Sequence, residues 1–112
     1  MYSIGQVAKM FDLPISTLRY YDKQGLFPNM ERASGIRRFS DTEIEALRVI
    51  ACLKKAGMEI KDIRQFMDWC AKGPSTYPQR KAMFEERKVL MEAEIAHMNR
   101  AFEEDISQKL VI

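Results

Sequence analysis

Apolar residues recur along most of the chain at the spacing of amphipathic helices. The first apolar face consists of Ile4, Val7, Ala8 and Phe11, in the i, i+3, i+4, i+7 order. Ser3 and Gln6 form a capping-box pattern in front of it, so we expect a helix that begins after Ser3. The segment 12–14 ends with proline and breaks this helix.

A second short helix is predicted to begin almost at once. Ser16 is a typical N-cap residue, and Gly25 stands where a left-handed C-terminal residue is expected. Leu18 is its clearest core-facing residue. The outer side would carry Thr17, Arg19, Tyr20 and Lys23. This row is either an ordinary solvated face or a surface for the DNA major groove, where guanidinium groups bind guanine or phosphate. Two helices joined by so tight a turn are a helix-turn-helix candidate, although such hairpins also occur without DNA.

A small β-hairpin is predicted over residues 31–39. Gly35 separates two short extended pieces whose alternate residues face opposite sides. The hairpin carries three arginines: Arg32, Arg37 and Arg38. Beside a helix-turn-helix, such a hairpin would be a wing that places guanidinium groups on phosphates or in a minor groove. The alternative is a solvated basic turn.

Two longer helices follow the hairpin. Ser40 and Glu43 form a second capping box, and the third helix should run to about Ala56, where Gly57 ends it. Its apolar face is Ile44, Leu47, Ile50, Ala51 and Leu53. The fourth helix is spaced by Ile60, Ile63, Phe66, Met67 and Cys70 and should stop at residues 72–74.

The last predicted helix is the longest. Ser75 and Thr76 with Gln79 predict the cap at its N-terminus. No helix-breaking residue follows before about Ile106, so the helix should be about 45 Å long at about 1.5 Å per residue. Its heptad seam comprises Tyr77, Phe84, Met91, Ile95, Met98 and Phe102, although Lys81 and Lys88 occupy the early interleaved positions. So much apolar surface needs a partner, and a second copy of the chain is the simplest one.

The length of the chain limits the number of domains, and its charge distribution indicates where a nucleic acid would bind. At 112 residues with 46% hydrophobic residues, the chain is long enough for one compact domain with at most an extension. The net charge is only +2, but residues 1–40 hold six basic and three acidic residues, a net +3, against −1 for the remainder. The basic excess therefore lies where the outward-facing helix is predicted.

The cysteines and hydropathy indicate a cytoplasmic protein. Cys52 and Cys70 form no C-x-x-C and fall in helical segments, so neither a zinc site nor a disulfide is indicated. Two free thiols fit a reducing compartment. No apolar run reaches membrane-spanning length, and no signal peptide precedes the first helix. We expect no metal, no cofactor and no membrane partner; His97 is expected to be a surface residue.

Several ordered segments resemble the MerR family of bacterial transcription regulators. They are Ile4–Ala8, Thr17–Asp22, Gly25–Leu26, Gly35–Ser40, Leu53–Met58 and Ile60–Ile63. The resemblance implies a mainly α fold with a winged helix-turn-helix DNA-binding domain over 1–73. A dimerisation helix over 74–106 would form an antiparallel coiled coil, followed by a tail over 107–112. The homodimer would bind a pseudo-palindromic promoter and act on RNA polymerase indirectly, by distorting an over-long spacer.

The resemblance also implies roles for individual residues. The DNA-binding candidates are Ser16, Thr17, Arg19, Tyr20, Tyr21 and Lys23 on the reading helix, Arg37 on the wing, and Lys54 as a weaker phosphate candidate that is otherwise solvated. Ile36 stands where the family usually has tyrosine, which puts a DNA role there in doubt. Phe39 often corresponds to tyrosine but keeps the ring, which we expect in the core.

The chain resembles the short branch of the family, which lacks an effector domain. Some members of this branch carry a reactive cysteine in the third helix, and Cys52 occupies that place, which suggests a response to electrophile or thiol stress. The alternative is that Cys52 only fills space in the core. Nearby Arg48, Lys54 and Lys55 would lower its pKa and favour thiolate if they face it.

Two other classes of function fit the sequence less well. A winged-helix adaptor that pairs through its long helix but no longer binds DNA is disfavoured by the intact basic row on the reading helix. An enzyme is disfavoured because the sequence has no glycine-rich phosphate loop and no nucleophile paired with its single histidine, His97.

Overall fold

The computed structural model describes residues 1–33 and 35–110, and the side chains of all of these except 31–33 and 105–107. Ser34 of the predicted wing, residues 111–112 of the predicted tail and the side chain of Arg32 lie outside the described residues. The chain forms two compact units, Met1–Tyr77 and Pro78–Ile112, which are described separately. The predicted domain limits at residues 73 and 106 remain a prediction.

The first unit consists of four helices and one hairpin. Its elements are α1 (Ile4–Phe11), α2 (Ile15–Lys23), β1 (Glu31–Ala33), β2 (Ile36–Arg38), α3 (Asp41–Lys55), α4 (Ile60–Lys72) and a single 3-10 turn (Pro74–Thr76). Both predicted capping boxes are confirmed. Gln6 N donates to Ser3 Oγ at 3.2 Å while Ser3 N donates to Gln6 Oε1 at 2.8 Å, and Ser40 and Glu43 repeat the arrangement at α3.

The start of α2 differs from the prediction. The residue that caps it is Pro14, whose φ of −61° and ψ of 145° lead directly into a helix at Ile15. Ser16 is therefore already helical and lies in the first turn, so its predicted role as N-cap is wrong. Proline has no side-chain acceptor, and Pro14 caps only through its carbonyl, which accepts from Thr17 N at 3.0 Å.

The end of α2 follows the prediction more closely. Gly25 has a φ of +82°, in the left-handed region that a side chain disfavours. A Cβ built on Gly25 would lie 3.2 Å from Nε of Arg64 on α4. Backbone conformation and close packing thus both favour glycine at this position.

The predicted hairpin is confirmed as an antiparallel pair of strands. Glu31 lies opposite Arg38 and Ala33 opposite Ile36. After β2, Phe39 is tied to the chain start: Tyr2 N donates to Phe39 O at 2.8 Å and Phe39 N donates to Tyr2 O at 3.0 Å.

The first unit has one apolar core to which every helix contributes. Its fully enclosed side chains are Val7, Leu18, Leu26, Phe39, Leu47, Ile50, Leu53 and Ile63. The predicted core positions of Leu18 and Phe39 are therefore confirmed. The Phe39 ring meets Phe27 edge to face, with centroids 5.7 Å apart and an interplanar angle of 83°. The core thus fixes the base of the hairpin against the loop that follows α2.

The chain leaves α4 by a route that the sequence pattern did not predict. Thr76 is 6% exposed, and its hydroxyl donates to Trp69 O at 2.6 Å and to Gly73 O at 2.8 Å. This hydroxyl therefore satisfies carbonyls at the end of α4. The cap that Ser75 and Thr76 were expected to give the last helix remains a prediction.

The second unit is helical from Pro78 to Lys109. Helix α5 (Tyr77–Arg100) begins in the last residue of the first unit, continues as a π-helical segment (Ala101–Ile106) and ends in a short α6 (Ser107–Lys109). The prediction of regular helix to Ile106 is therefore corrected: the α-helical repeat stops at Arg100, and helical backbone continues beyond Ile106. Across residues 1–33 and 35–110, no helix is long and apolar enough to cross a membrane.

The predicted heptad seam lies on an uncovered surface of α5 and the π-helical segment. Tyr77, Phe84, Ile95, Met98 and Phe102 are each between 45% and 62% exposed, and Met91 is half-buried. No side chain of α5 is fully buried. The ion pair of Arg87 with Glu94, at 3.1 Å, joins residues that lie about two turns apart on the same helix.

Candidate nucleic-acid interface

The outer face of α2 presents a continuous polar row. Ser16, Arg19, Tyr20 and Lys23 follow the i, i+3, i+4, i+7 spacing and are all exposed, Tyr20 at 47%. Thr17 is half-buried at the edge of this row. The opposite side of α2 is buried through Leu18. The helix is therefore anchored on one side and offers hydroxyl, guanidinium, phenol and ammonium groups on the other. We call Ser16, Arg19, Tyr20 and Lys23 the outer row.

Tyr21 does not belong to the outer row. Its side chain is 8% exposed and its ring packs in the core, so the exposed surface of α2 does not include it, and its expected DNA contact remains a prediction. Burial, and to a lesser extent the neighbouring Tyr20, raises the pKa of the Tyr21 hydroxyl above its ordinary value of 10.0. The hydroxyl therefore stays neutral at physiological pH. The two rings lie at 50° with centroids 6.3 Å apart.

The wing joins α2 through an ion pair. Arg37 Nε donates to Asp22 Oδ2 at 2.6 Å, and the two side chains are only 24% and 11% exposed. Arg37 was predicted as a DNA contact, but its guanidinium is directed to the last turn of α2. The residues on either side of it, Ile36 and Arg38, are exposed. The absence of the family's usual tyrosine at Ile36 thus affects the surface of the wing and not the core.

Lys54 lies on α3, distant in sequence from the outer row but close to the buried side of α2. It is exposed and lines a cleft of about 210 Å³ with Tyr21. The other lining residues are Phe11, Leu13, Leu47, Ile50 and Ala51. The structure therefore groups α1, α2 and the end of α3 around one apolar cleft with an ammonium group at its edge.

Cys52 is exposed on α3, which excludes the alternative that it fills space in the core. Of the three cations that the sequence placed near it, Arg48 is paired with Glu45, and Lys54 lines the cleft described above. Cys70, on α4, is half-buried. Among the residues that the structure describes, no three histidine, cysteine or acidic side chains are grouped as metal ligands.

Sequence reasoning missed two residues of this region. Asp22 stands within a motif that suggested the family, but nothing local indicates that it pairs with Arg37, fifteen residues away. Arg64 on α4 was given no role, yet it packs against Gly25 at the end of α2. Only the tilt of the hairpin and the packing of α4 create these contacts.

Comparisons with known proteins agree on one family. Residues 2–69 match the family model described as MerR HTH family regulatory protein. The chain is 36% identical over 100 residues to an uncharacterized HTH-type transcriptional regulator of Haemophilus influenzae, with 88% of this chain and 74% of that protein covered.

Two crystal structures have the same fold along nearly the whole chain. One is HiNmlR, a MerR family regulator lacking the sensor domain, bound to promoter DNA: TM-score 0.81, 34% identity, 98% of this chain and 87% of the other covered. The other is a MerR family transcriptional regulator from Bacillus thuringiensis: TM-score 0.79, 41% identity, 98% and 96% covered. Both relatives are transcription regulators of the MerR family, and the first is bound to promoter DNA. The mainly helical fold, the matched residues 2–69 and these relatives establish that the chain belongs to the MerR family of helix-turn-helix transcription regulators.

Proposed function

We propose that this regulator binds promoter DNA by placing the outer row of α2 in a major groove, with the wing on the adjacent backbone. The observation that carries the proposal is the outer row itself: four exposed polar side chains at helical spacing, held by a buried opposite face. A guanidinium such as that of Arg19 can bind guanine bidentately, whereas Ser16 and Lys23 are suited to phosphates. The basic excess of residues 1–40 supports the same assignment.

The functional form is proposed to be a homodimer joined by antiparallel α5 helices. Exposed apolar residues at heptad spacing support this, because such a surface is unfavourable in water unless another surface covers it. A twofold dimer would present two copies of α2 to a pseudo-palindromic promoter. Distortion of the promoter spacer would then act on RNA polymerase indirectly, and sequence-dependent deformability would contribute to specificity. Lys54 is retained as a phosphate candidate.

Selection of bound sites from random duplexes tests the proposal as a whole. Enrichment of one inverted repeat would support a dimeric reader, and its half-site spacing, expected at about 10 bp or a multiple of it, would measure the distance between the two α2 helices. Failure to enrich any duplex at moderate salt would contradict the proposal and favour the adaptor function.

Replacing Arg19 by alanine is expected to weaken binding of the proposed dimer to the selected site about 10²- to 10⁴-fold, because each of the two subunits loses a base contact that contributes about 1–3 kcal/mol. Fluorescence anisotropy with the selected and a scrambled duplex would measure this. Arg100→Ala, which removes the same charge from an exposed position at the end of α5, serves as the matched control and should change affinity little. Equal effects of the two variants would contradict the assignment of Arg19.

A response to electrophiles is the second part of the proposal, and the exposure of Cys52 supports it. The Cys52 thiolate would add to the carbonyl carbon of an aldehyde, and the carbonyl oxygen would take up a proton to give a hemithioacetal. The added group would lie on α3, one helical turn or less from Lys54 and Lys55.

The Cys52→Ser variant is expected to bind the promoter like the native protein but to lose its transcriptional response to aldehyde. Mass spectrometry after exposure should find the modification on Cys52, with half-buried Cys70 as the internal control. A Cys52→Ser protein that still switches transcription would remove Cys52 from the mechanism and leave the DNA-binding proposal intact.

A further inference from the structure

The two arginines of β2 face opposite sides of the wing. Side chains alternate along a strand, and here Arg37 is half-buried while Arg38 is exposed. Arg37 Nε donates to Asp22 Oδ2 at 2.6 Å, a short, charge-assisted hydrogen bond between the wing and the last turn of α2. The adjacent arginines are therefore in different environments, and we expect them to have different roles in DNA binding.

We propose that Arg37 is a positioning residue, which sets the wing against α2 through Asp22, and that Arg38 is the wing arginine that contacts the DNA backbone. The proposal rests on the proposed DNA-binding function and refines it. It moves the wing contact from Arg37, where the family resemblance placed it, to Arg38, which the sequence pattern only grouped with the other arginines of the hairpin.

Electrostatics favours Arg37 remaining on Asp22 when DNA is bound. The Asp22 side chain is only 11% exposed, so departure of the guanidinium to a phosphate would leave a poorly solvated carboxylate without this partner. That carboxylate would also face the negative charge of the DNA. Arg38 is exposed on the other side of the strand, so its guanidinium can reach a phosphate.

The wing also needs an anchor of this kind. Each of its strands has only three residues, and an isolated two-stranded hairpin is at best marginally stable in water. Phe39 fixes the end of β2 through its bonds to Tyr2. The Asp22–Arg37 pair adds a second fixed point within β2, on the helix that carries the outer row. Two such points determine the angle between the wing and α2.

Asp22→Asn separates the two possible roles of Arg37 because they predict opposite changes in the affinity for DNA. If Arg37 were a phosphate contact, removal of the competing carboxylate would release it and tighten DNA binding. If Arg37 positions the wing, the same change weakens binding about tenfold, despite the gain in positive charge. The matched control is Asp12→Asn, an exposed position where asparagine also suits the φ of +52° and the charge changes equally. Asp22→Asn binding as tightly as Asp12→Asn would overturn the proposal.

Salt dependence tests Arg38 and the pair together. Arg38→Gln should lower the slope of log affinity against log salt by about 0.9 for each subunit bound. The double variant Asp22→Asn, Arg37→Gln removes the pair without a change in net charge. It should weaken binding at every salt concentration and leave the slope unaltered. A slope reduced in the double variant and unaltered in Arg38→Gln would reverse the two assignments and overturn the proposal.

Thermal denaturation of every variant, by circular dichroism, separates folding from binding. If Asp22→Asn alone is unfolded, the double variant, which removes both charges of the pair, tests the role of Arg37 through its salt slope: an unaltered slope fits a positioning residue, and a reduced slope would contradict it. The native protein is the reference for the underlying function: its failure to bind any selected duplex would refute DNA binding itself. If the native protein binds DNA but the affinities or salt slopes of the variants change in the direction opposite to that expected, only the roles of Arg37 and Arg38 would be refuted.

Discussion

Truncation of Phe39 to alanine is expected to lower the free energy of unfolding of the first unit by about 3–5 kcal/mol, the usual cost of removing a fully buried phenylalanine ring. Phe39 is 0% exposed and packs edge to face on Phe27, so its loss leaves a cavity that neighbouring rings cannot fill without shifting. Urea denaturation followed by circular dichroism would measure the change. Because Phe39 also anchors β2, DNA affinity should fall under conditions where the variant remains folded.

Ile36→Ala is the matched control for this prediction. Ile36 lies in β2, three residues before Phe39, but is 58% exposed, so its truncation should change stability by no more than about 0.5 kcal/mol. Equal losses for the two variants would mean that the ring at position 39 is not a core residue in solution.

The second large effect is expected on the proposed dimer. Ile95→Glu places a charge in the heptad seam, where two helices would have to bury it, and should shift the protein from dimer to monomer. A monomer binds one half-site at a time and lacks the higher affinity that two linked subunits achieve together, so operator affinity should fall about 10²- to 10⁴-fold. Sedimentation equilibrium would report the mass, and anisotropy the affinity.

Ala93→Glu introduces the same charge two residues earlier, at an exposed position on the opposite side of α5. It should remain dimeric and bind the operator normally. An Ile95→Glu protein that stays dimeric would contradict the proposed seam. A monomeric protein with undiminished affinity would instead contradict the requirement for two linked half-sites.

Much of the fold could be predicted from the sequence because the relevant interactions are local. The capping boxes at Ser3 and Ser40 join residues only three positions apart, and their outcome depends little on the rest of the chain. Gly25 and Gly35 mark left-handed backbone at the end of a helix and in a hairpin. The resemblance to the family, in which a ring stands at this position, correctly predicted that Phe39 is buried.

The outer row of α2 could also be predicted, since helical periodicity alone separates Arg19, Tyr20 and Lys23 from Leu18. Periodicity was less informative at Tyr21, whose bulky side chain carries both an apolar ring and a polar hydroxyl and fits either face. The packing of α1 and α3 around it determined that the ring is buried.

What the sequence by itself determined is the set of helices, the hairpin, the exposed row on α2 and the family. Only the tertiary structure decided how side chains distant in sequence are paired: Arg37 with Asp22, Arg64 against Gly25, and Thr76 on the carbonyls that end α4. It likewise decided that Cys52 is exposed. The reason is physical: caps and periodicity act over three or four residues, whereas these contacts depend on the tilt and register of whole elements.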